Sequence, residues 1–599
     1  MQPQGRAGHA LTLSLTVIAN ACAMNTETAL AHDIKAWKAR LGICAAVLVV
    51  IGLWAATLKA PVMALNLVQT QDVPVLCILG LSTVLVALWR PRWALPARLP
   101  SGRSMLLAGL LLAALVAWGS YGLLGNFPLS RDEHMVLFDM AVYDQGRLAT
   151  PIAPWWQPFA LAMEPNFLLN ADQPSGFVSA YLPMNPMLRL AFSKVADPAW
   201  FNPLLVVIGG AALLDIAKRT FGEDRRACWV VLLVYALSAQ LLVTAMTPFS
   251  MTGHLALNLV WLAAFLRGGK TGHSVAIAAG FAATGLHQLV FHPFFVAPFL
   301  LWRLRQGQWR LVAGYALAYA AIVLWWAVFP LIVSPFVAGP LGRATNANVI
   351  TDKLIPLLFI HDPRTIPLMM LNLLRFTAWQ NFALVPLLIA AVPVVLRKRG
   401  FAGALALGIF AWLLFLTAIL PEQGRGYGYR YLHGYLGSFA LLAGFGYREL
   451  EQRIGRQADG VVVLMSGLTV VAALPLLLAA SYRFMQPHLA MERVIEAQKT
   501  PFVLIDDNGS KARDGGWAEG AGDHVRNLPD MSNRPLRFSA EVLPAELLSR
   551  LCRVGPVTLI TRADINKAGL GELPESSPKF DALVRAAARD VPGCIRKRS

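Results

Sequence analysis

Long apolar runs alternate with short polar ones from residue 41 to residue 482, and a run of about 20 apolar residues is long enough to cross a bilayer at ~1.5 Å of rise per residue. The pattern predicts about thirteen helices, over 41–58, 72–90, 105–125, 200–217, 228–245, 253–267, 273–288, 290–304, 310–333, 377–397, 401–420, 432–447 and 460–482. The basic clusters between them are Arg90, Arg92, Arg98 and Arg103; Lys218, Arg219, Arg225 and Arg226; Arg303, Arg305 and Arg310; Arg397, Lys398 and Arg399; Arg448, Arg453 and Arg456. All fall on one side of such a bundle, and the positive-inside bias makes that side cytoplasmic. The long or chemically varied segments, 126–199, 334–376, 421–431 and 483–599, then face outward, and function is expected there.

Beyond residue 482 the pattern changes. Two β-like runs, Pro501–Ile505 and Pro556–Thr561, flank a helical stretch at Glu541–Arg553, and a further helix is expected near Phe580–Arg589. No Gly-rich loop follows a strand in phosphate-binding fashion; Gly515-Gly516 and Gly520–Gly522 lie in a polar loop. The expected fold class is thus an all-α polytopic membrane protein with a small C-terminal α/β extracytoplasmic domain. Residues 1–40 form a cytoplasmic or unassigned segment, 41–482 the transmembrane domain with outer loop 126–199, and 483–599 the periplasmic tail. The run Leu11–Ala19 is too short to span, and Met24 is as good a start as Met1.

Composition agrees with that class. Of 599 residues 56% are hydrophobic and 14% charged, against about 25% charged in soluble domains. The formal charge of +18 would suit nucleic acid, but its Lys and Arg sit in short loops between spans, so a nucleic-acid partner is excluded. Of six cysteines, Cys44, Cys77 and Cys228 lie in spans and Cys22 in the start; Cys552 and Cys594, left in an oxidising compartment, are expected to pair.

Candidate chemistry concentrates in Asn126–Leu148, the first long polar stretch. Ser130 and Glu133 read as a capping box that starts a short helix in which Val136, Met140 and Tyr143 share a face, with Gly146 as the stop. Asp132 and Glu133 then sit in its first turn, where the macrodipole favours acids whatever the protein does. In Glu422–Tyr435, Arg425 and Arg430-Tyr431 precede a span; arginine presents a permanently charged fork matched to phosphate oxygens, although interfacial arginines also snorkel. Arg375 lies just ahead of the span at 377–397. His287 and His292, five apart, miss the four-residue spacing of a helical metal pair and suit either a polar cavity wall or interior packing.

The acid pair after a span, followed by Tyr143, Gly146 and Pro151, resembles the first extracytoplasmic loop of the GT-C superfamily. That superfamily includes protein O-mannosyltransferases and the bacterial aminoarabinose and lipopolysaccharide sugar transferases. Arg430-Tyr431-Leu432 resembles the Arg-Tyr element near the last core helices of many of its members. The resemblance covers residues 100–445. It implies an inner-membrane glycosyltransferase that moves a sugar from a polyprenyl-phosphate carrier to an acceptor hydroxyl of a glycan, lipid or protein at the periplasmic face. It places Asp132, beside Glu133, as the base and Arg430 at the lipid phosphate with Arg375 as a second candidate; Tyr431, Arg425, His287, His292 and Tyr181 are the further candidates for the substrate and lipid-phosphate site. Some members need a divalent cation, Mg or Mn, and others do not. Aminoarabinose-type members carry a lysine before the prolines of the first loop; Leu182-Pro-Met-Asn-Pro here has none, and two additional helices precede the expected catalytic module. The rival class, a transporter or lipid-linked sugar flippase, calls for charges at span centres and matched, broken halves. A membrane-anchored scaffold whose tail is the working part is the third reading.

Overall fold

The computed structural model describes residues 34–596, apart from 60–61, 165–166, 341, 343, 346–354, 356–362, 398–399, 509–518 and 571–576. Leu11–Ala19, Met24, Lys398, Arg399 and Gly515-Gly516 lie outside the described residues. Among the described residues, seven helices are long and apolar enough to cross a membrane: Ile34–Thr57, Met63–Leu88, Gly102–Gly122, Pro198–Phe221, Trp309–Ala338, Phe401–Ile419 and Gln457–Glu496. The expected span at 228–245 is broken into Arg225–Ala236 and Ala239–Ala245, which meet at 50°. Ser238 supplies the break, its hydroxyl capping the second piece at the Leu241 N–H (3.2 Å). The remaining expected spans are helices of 14–19 residues: Met251–Arg267, Gly269–Thr284, Phe291–Arg305, Leu384–Arg397 and Leu436–Ile454. Where two of them cross, a Cβ on Gly446 would lie 1.9 Å from the Leu387 carbonyl oxygen, so only glycine permits that approach.

Three boundaries depart from the hydropathy pattern. The expected span at 377–397 starts instead at Leu384, after a separate helix Thr365–Ala378. Between them Asn381 accepts from the Ala383 N–H (2.9 Å) and Thr469 from the Phe382 N–H (2.9 Å), satisfying a buried turn that hydropathy alone does not register. Ahead of Leu436–Ile454, Arg430–Tyr435 forms a 3₁₀ turn. The helix expected at 460–482 runs on to Glu496, through a π-helical segment at Thr469–Ala473. Beyond residue 482 it turns amphipathic, burying Met485, His488, Met491 and Ile495 at helical spacing, and so carries the chain from the membrane into the tail.

In the first outer loop, β1 (Thr150–Pro151) pairs antiparallel with β2 (Gly176–Phe177). The tail is a parallel sheet of β3 (Phe502–Ile505), β4 (Leu536–Ser539), β5 (Val557–Ile560) and β6 (Ile595–Arg596), in the order β4-β3-β5-β6. The helices Ala545–Val554 and Pro578–Asp590 lie near the expected positions, whereas β4 and β6 are additions. β3 alternates between two cores. Val503 and Ile505 pack with Met491 and Ile495 of the long helix; Phe502 and Leu504 pack with Phe159, Ala162 and Met163 of the first outer loop. The tail is thereby clamped onto the loop that carries Asp132. Cys552 and Cys594 form a disulfide between helix Ala545–Val554 and the start of β6.

Candidate active site

The capping box forms as its spacing requires. Ser130 Oγ accepts from the Glu133 N–H (3.3 Å), and Glu133 Oε2 accepts from the Ser130 N–H (2.6 Å), starting the helix Arg131–Asp144. That helix buries Met135, Val136, Phe138 and Val142; of the expected Val136–Met140–Tyr143 face Val136 is buried and Met140 and Tyr143 are half-buried, so the buried side is wider than that face. Gly146 follows the helix at φ +68°, its N–H bonded to the Tyr143 carbonyl (2.9 Å).

The cap separates the two acids. Glu133 is fully buried behind the helix start, and burial pushes its carboxyl up to about 7. Asp132 faces a cavity of about 420 Å³. Its Oδ2 accepts from Arg430 Nη1 (2.5 Å), and its Oδ1 accepts from the Tyr181 hydroxyl. Tyr181 is aimed there by the helix itself: Asp139 accepts from both the N–H and the hydroxyl of Ser179, two residues upstream. The other face of Tyr181 lies against the His287 ring, centroids 4.1 Å apart. Burial pulls the Asp132 carboxyl upward, but the Arg430 charge, with His287 and the Tyr181 hydroxyl, outweighs it and holds the group below the ordinary carboxylate range. Arg430 is fixed over the rings of Phe249 (5.1 Å) and Tyr431 (5.4 Å).

Six residues singled out in the sequence, Asp132, Tyr181, His287, Arg425, Arg430 and Tyr431, line this one cavity. The opposite wall comes from the tail. Asp523 pairs with Arg425 and approaches Arg131 Nε at 3.9 Å, and Arg131 also donates to Glu164 and to the Gly522 carbonyl. Arg526 reaches back from the tail to the carbonyls of Pro128 and Leu129, just ahead of the cap.

Two expected phosphate or sugar contacts sit elsewhere. Arg375 is wholly buried, 3.4 Å from Asp72 in the helix Met63–Leu88, and donates to the Gly426 carbonyl (2.7 Å). It braces the Arg425–Arg430 loop from behind rather than lining the cavity, because a buried guanidinium is held where a buried carboxylate compensates it. His292 is enclosed between Asn258 Oδ1 (2.7 Å) and the Tyr319 hydroxyl (2.7 Å), as the packing reading of that histidine has it. Asp72, Arg131 and Asp523 carry no signal of their own in the sequence. Arg131 and Asp72 sit beside stronger signals, and nothing in the Gly-rich stretch around Asp523 marks it.

Among the described residues no group of three or more His, Cys, Asp or Glu side chains is arranged to hold a metal ion, and each carboxylate in the cavity wall is met by an arginine.

No protein-family model and no curated protein matches the sequence. Among solved structures the chain is similar to two crystal structures of ArnT from Cupriavidus metallidurans. One, in the apo state, shares 12% identity at a TM-score of 0.45 over 69% of this chain and 84% of that one. The other, bound to undecaprenyl phosphate, shares 13% at 0.47 over 71% and 86%.

Proposed function

We propose that the protein is an integral membrane glycosyltransferase of GT-C type, taking a sugar from a polyprenyl-phosphate carrier and placing it on an acceptor hydroxyl at the periplasmic face, with Asp132 as general base. The observation that carries this reading is the buried Asp132–Arg430 pair lining a cavity between the first outer loop and the tail: a carboxylate to take a proton beside a guanidinium to meet a phosphate. In the resting site Arg430 keeps Asp132 ionised and weakly basic. A donor phosphate drawn to Arg430 takes up part of that charge, and the buried carboxylate becomes more basic when the acceptor arrives. The acceptor oxygen then forms its bond to the anomeric carbon with inversion, its proton passes to Asp132, and the bond from that carbon to the phosphate oxygen breaks. The leaving polyprenyl phosphate carries the electron pair and is met by Arg430 and Arg425. Tyr181 holds Asp132 in line, and Tyr431 holds Arg430.

In this reading the basic loops are cytoplasmic, and reporter fusions after Arg103 and Arg226 report cytoplasm while fusions in the tail report the far side. The reading is tested with membranes containing the protein and a polyprenyl-phosphate sugar: the lipid-linked sugar is consumed, and mass spectrometry finds it on a hydroxyl of the acceptor. Transport of an intact lipid-linked sugar without breakage of its phosphate bond would instead support a flippase.

A further inference from the structure

The tail places a carboxylate on an arginine of the cavity. Asp523 follows the short helix Glu519–Gly522 and pairs with Arg425 across 98 residues of chain, in a part-buried position facing the cavity. Arg131, its other neighbour, is already matched by Glu164 and the Gly522 carbonyl, so Asp523 chiefly neutralises Arg425. On its far side, among the described residues, Arg425 meets a neutral acceptor. Arg425 Nη1 reaches His488 Nε2 (3.4 Å), His488 Nδ1 reaches His524 Nε2 (3.3 Å), and His524 Nδ1 reaches Glu492 (3.0 Å), which is also held by Arg537 of β4 (2.6 Å). Read in the order that lets every donor find an acceptor, this chain runs from Arg425 to Glu492 and uses one tautomer for both histidines. It fixes where Arg425 points without changing its charge.

We propose that Asp523 is a resident anion on Arg425 and that the phosphate of a polyprenyl-phosphate ligand displaces it, so that the tail domain sets the affinity of the membrane site for lipid phosphates. The inference rests on the glycosyltransferase reading and deepens it. A phosphodiester presents one negative charge over two free oxygens, as a carboxylate does, so the two compete for one guanidinium fork. After transfer the leaving phosphate monoester carries more negative charge than the donor did, up to about two units. Arg430 supplies one cation; Arg425 supplies a second once Asp523 has moved off.

The test uses the detergent-purified full chain and measures binding of polyprenyl monophosphate, with phosphate-free polyprenol as the control lipid. The comparison runs over the unsubstituted protein, Asp523→Asn, Asp523→Ser and the double variant Asp523→Asn/Arg425→Gln, with thermal unfolding recorded for each. Both single variants are expected to bind the lipid phosphate about 5-fold more tightly or better, with polyprenol binding unchanged and the gain absent from the double variant. Unchanged or weaker binding in the folded single variants overturns the inference while leaving the donor reading intact. Loss of folded protein in both assigns Asp523 to structure and overturns it equally. Failure of every form to bind the lipid phosphate overturns the donor reading, and this inference with it.

Discussion

Asp132 and Arg430 are 298 residues apart in the chain and meet at 2.5 Å, the carboxylate at the start of the helix Arg131–Asp144 and the guanidinium at the start of the 3₁₀ turn ahead of Leu436–Ile454. Each is buried, and neither would remain charged there alone at low cost. The pair therefore draws the first outer loop and the 421–431 loop together, and the cavity lies along the seam.

The pH dependence follows from that pair. A carboxyl whose folded value is depressed loses its charge only as pH falls through the depressed value, so the acid limb of kcat/KM lies below about 3.8, the ordinary value for an aspartate. The stability from the same ion pair is present above that ordinary value and is lost over the same descent. In Arg430→Gln burial remains and its counter-charge is gone, so the limb moves to higher pH as well as falling in height. A limb unmoved by that substitution would dissociate Asp132 from the titration.

Arg375 is expected to fail differently. Arg375→Ala leaves the buried Asp72 carboxylate without its counter-charge and held only by the Trp379 indole N–H (2.6 Å), at a cost of about 3–5 kcal/mol, and removes the donor to Gly426. Thermal unfolding in detergent should show a large loss, and Arg430→Gln a smaller one alongside its loss of activity, because the Asp132 it strands lines the cavity and keeps the Tyr181 hydroxyl. Arg375→Met combined with Asp72→Asn, which removes both charges, should recover part of the midpoint.

How much of this the sequence carries depends on how local each signal is. The Ser130–Glu133 box is read within four residues, and the helix start that presents Asp132 comes with it. The pairing of Cys552 with Cys594 follows from compartment and exclusion. The helix to Glu496 is lost because Arg483 ends the hydropathy run although the helical spacing of Met485, His488, Met491 and Ile495 continues. β6 is two residues long and depends on its neighbour β5, so no local pattern declares it. Asp72–Arg375 and Arg425–Asp523 join segments far apart in the chain; each partner reads alone as a span-end or loop charge, and only the fold brings them together.

The disulfide should matter for the tail more than for the bundle. Closing 42 residues removes chain entropy from the unfolded tail worth about 4 kcal/mol at 25 °C on the chain-entropy model. Alkylation mass shifts with and without reductant should show two protected thiols released by reduction. Cys552→Ser/Cys594→Ser should lower the unfolding transition of the tail. Two freely alkylated thiols without reductant would contradict the pairing.

If Asp132 is the acid that acts and Glu133 the one that caps, the two neutral substitutions separate. On detergent-purified protein matched for folded amount, with a polyprenyl-phosphate sugar donor, Asp132→Asn keeps the shape and should lower turnover by ~10²–10⁴-fold with donor binding largely retained. Glu133→Gln keeps a side chain able to accept from the Ser130 N–H and should cost far less in turnover, its effect falling on stability by about 1 kcal/mol. Full turnover in Asp132→Asn, or a larger loss in Glu133→Gln than in Asp132→Asn, would contradict the assignment.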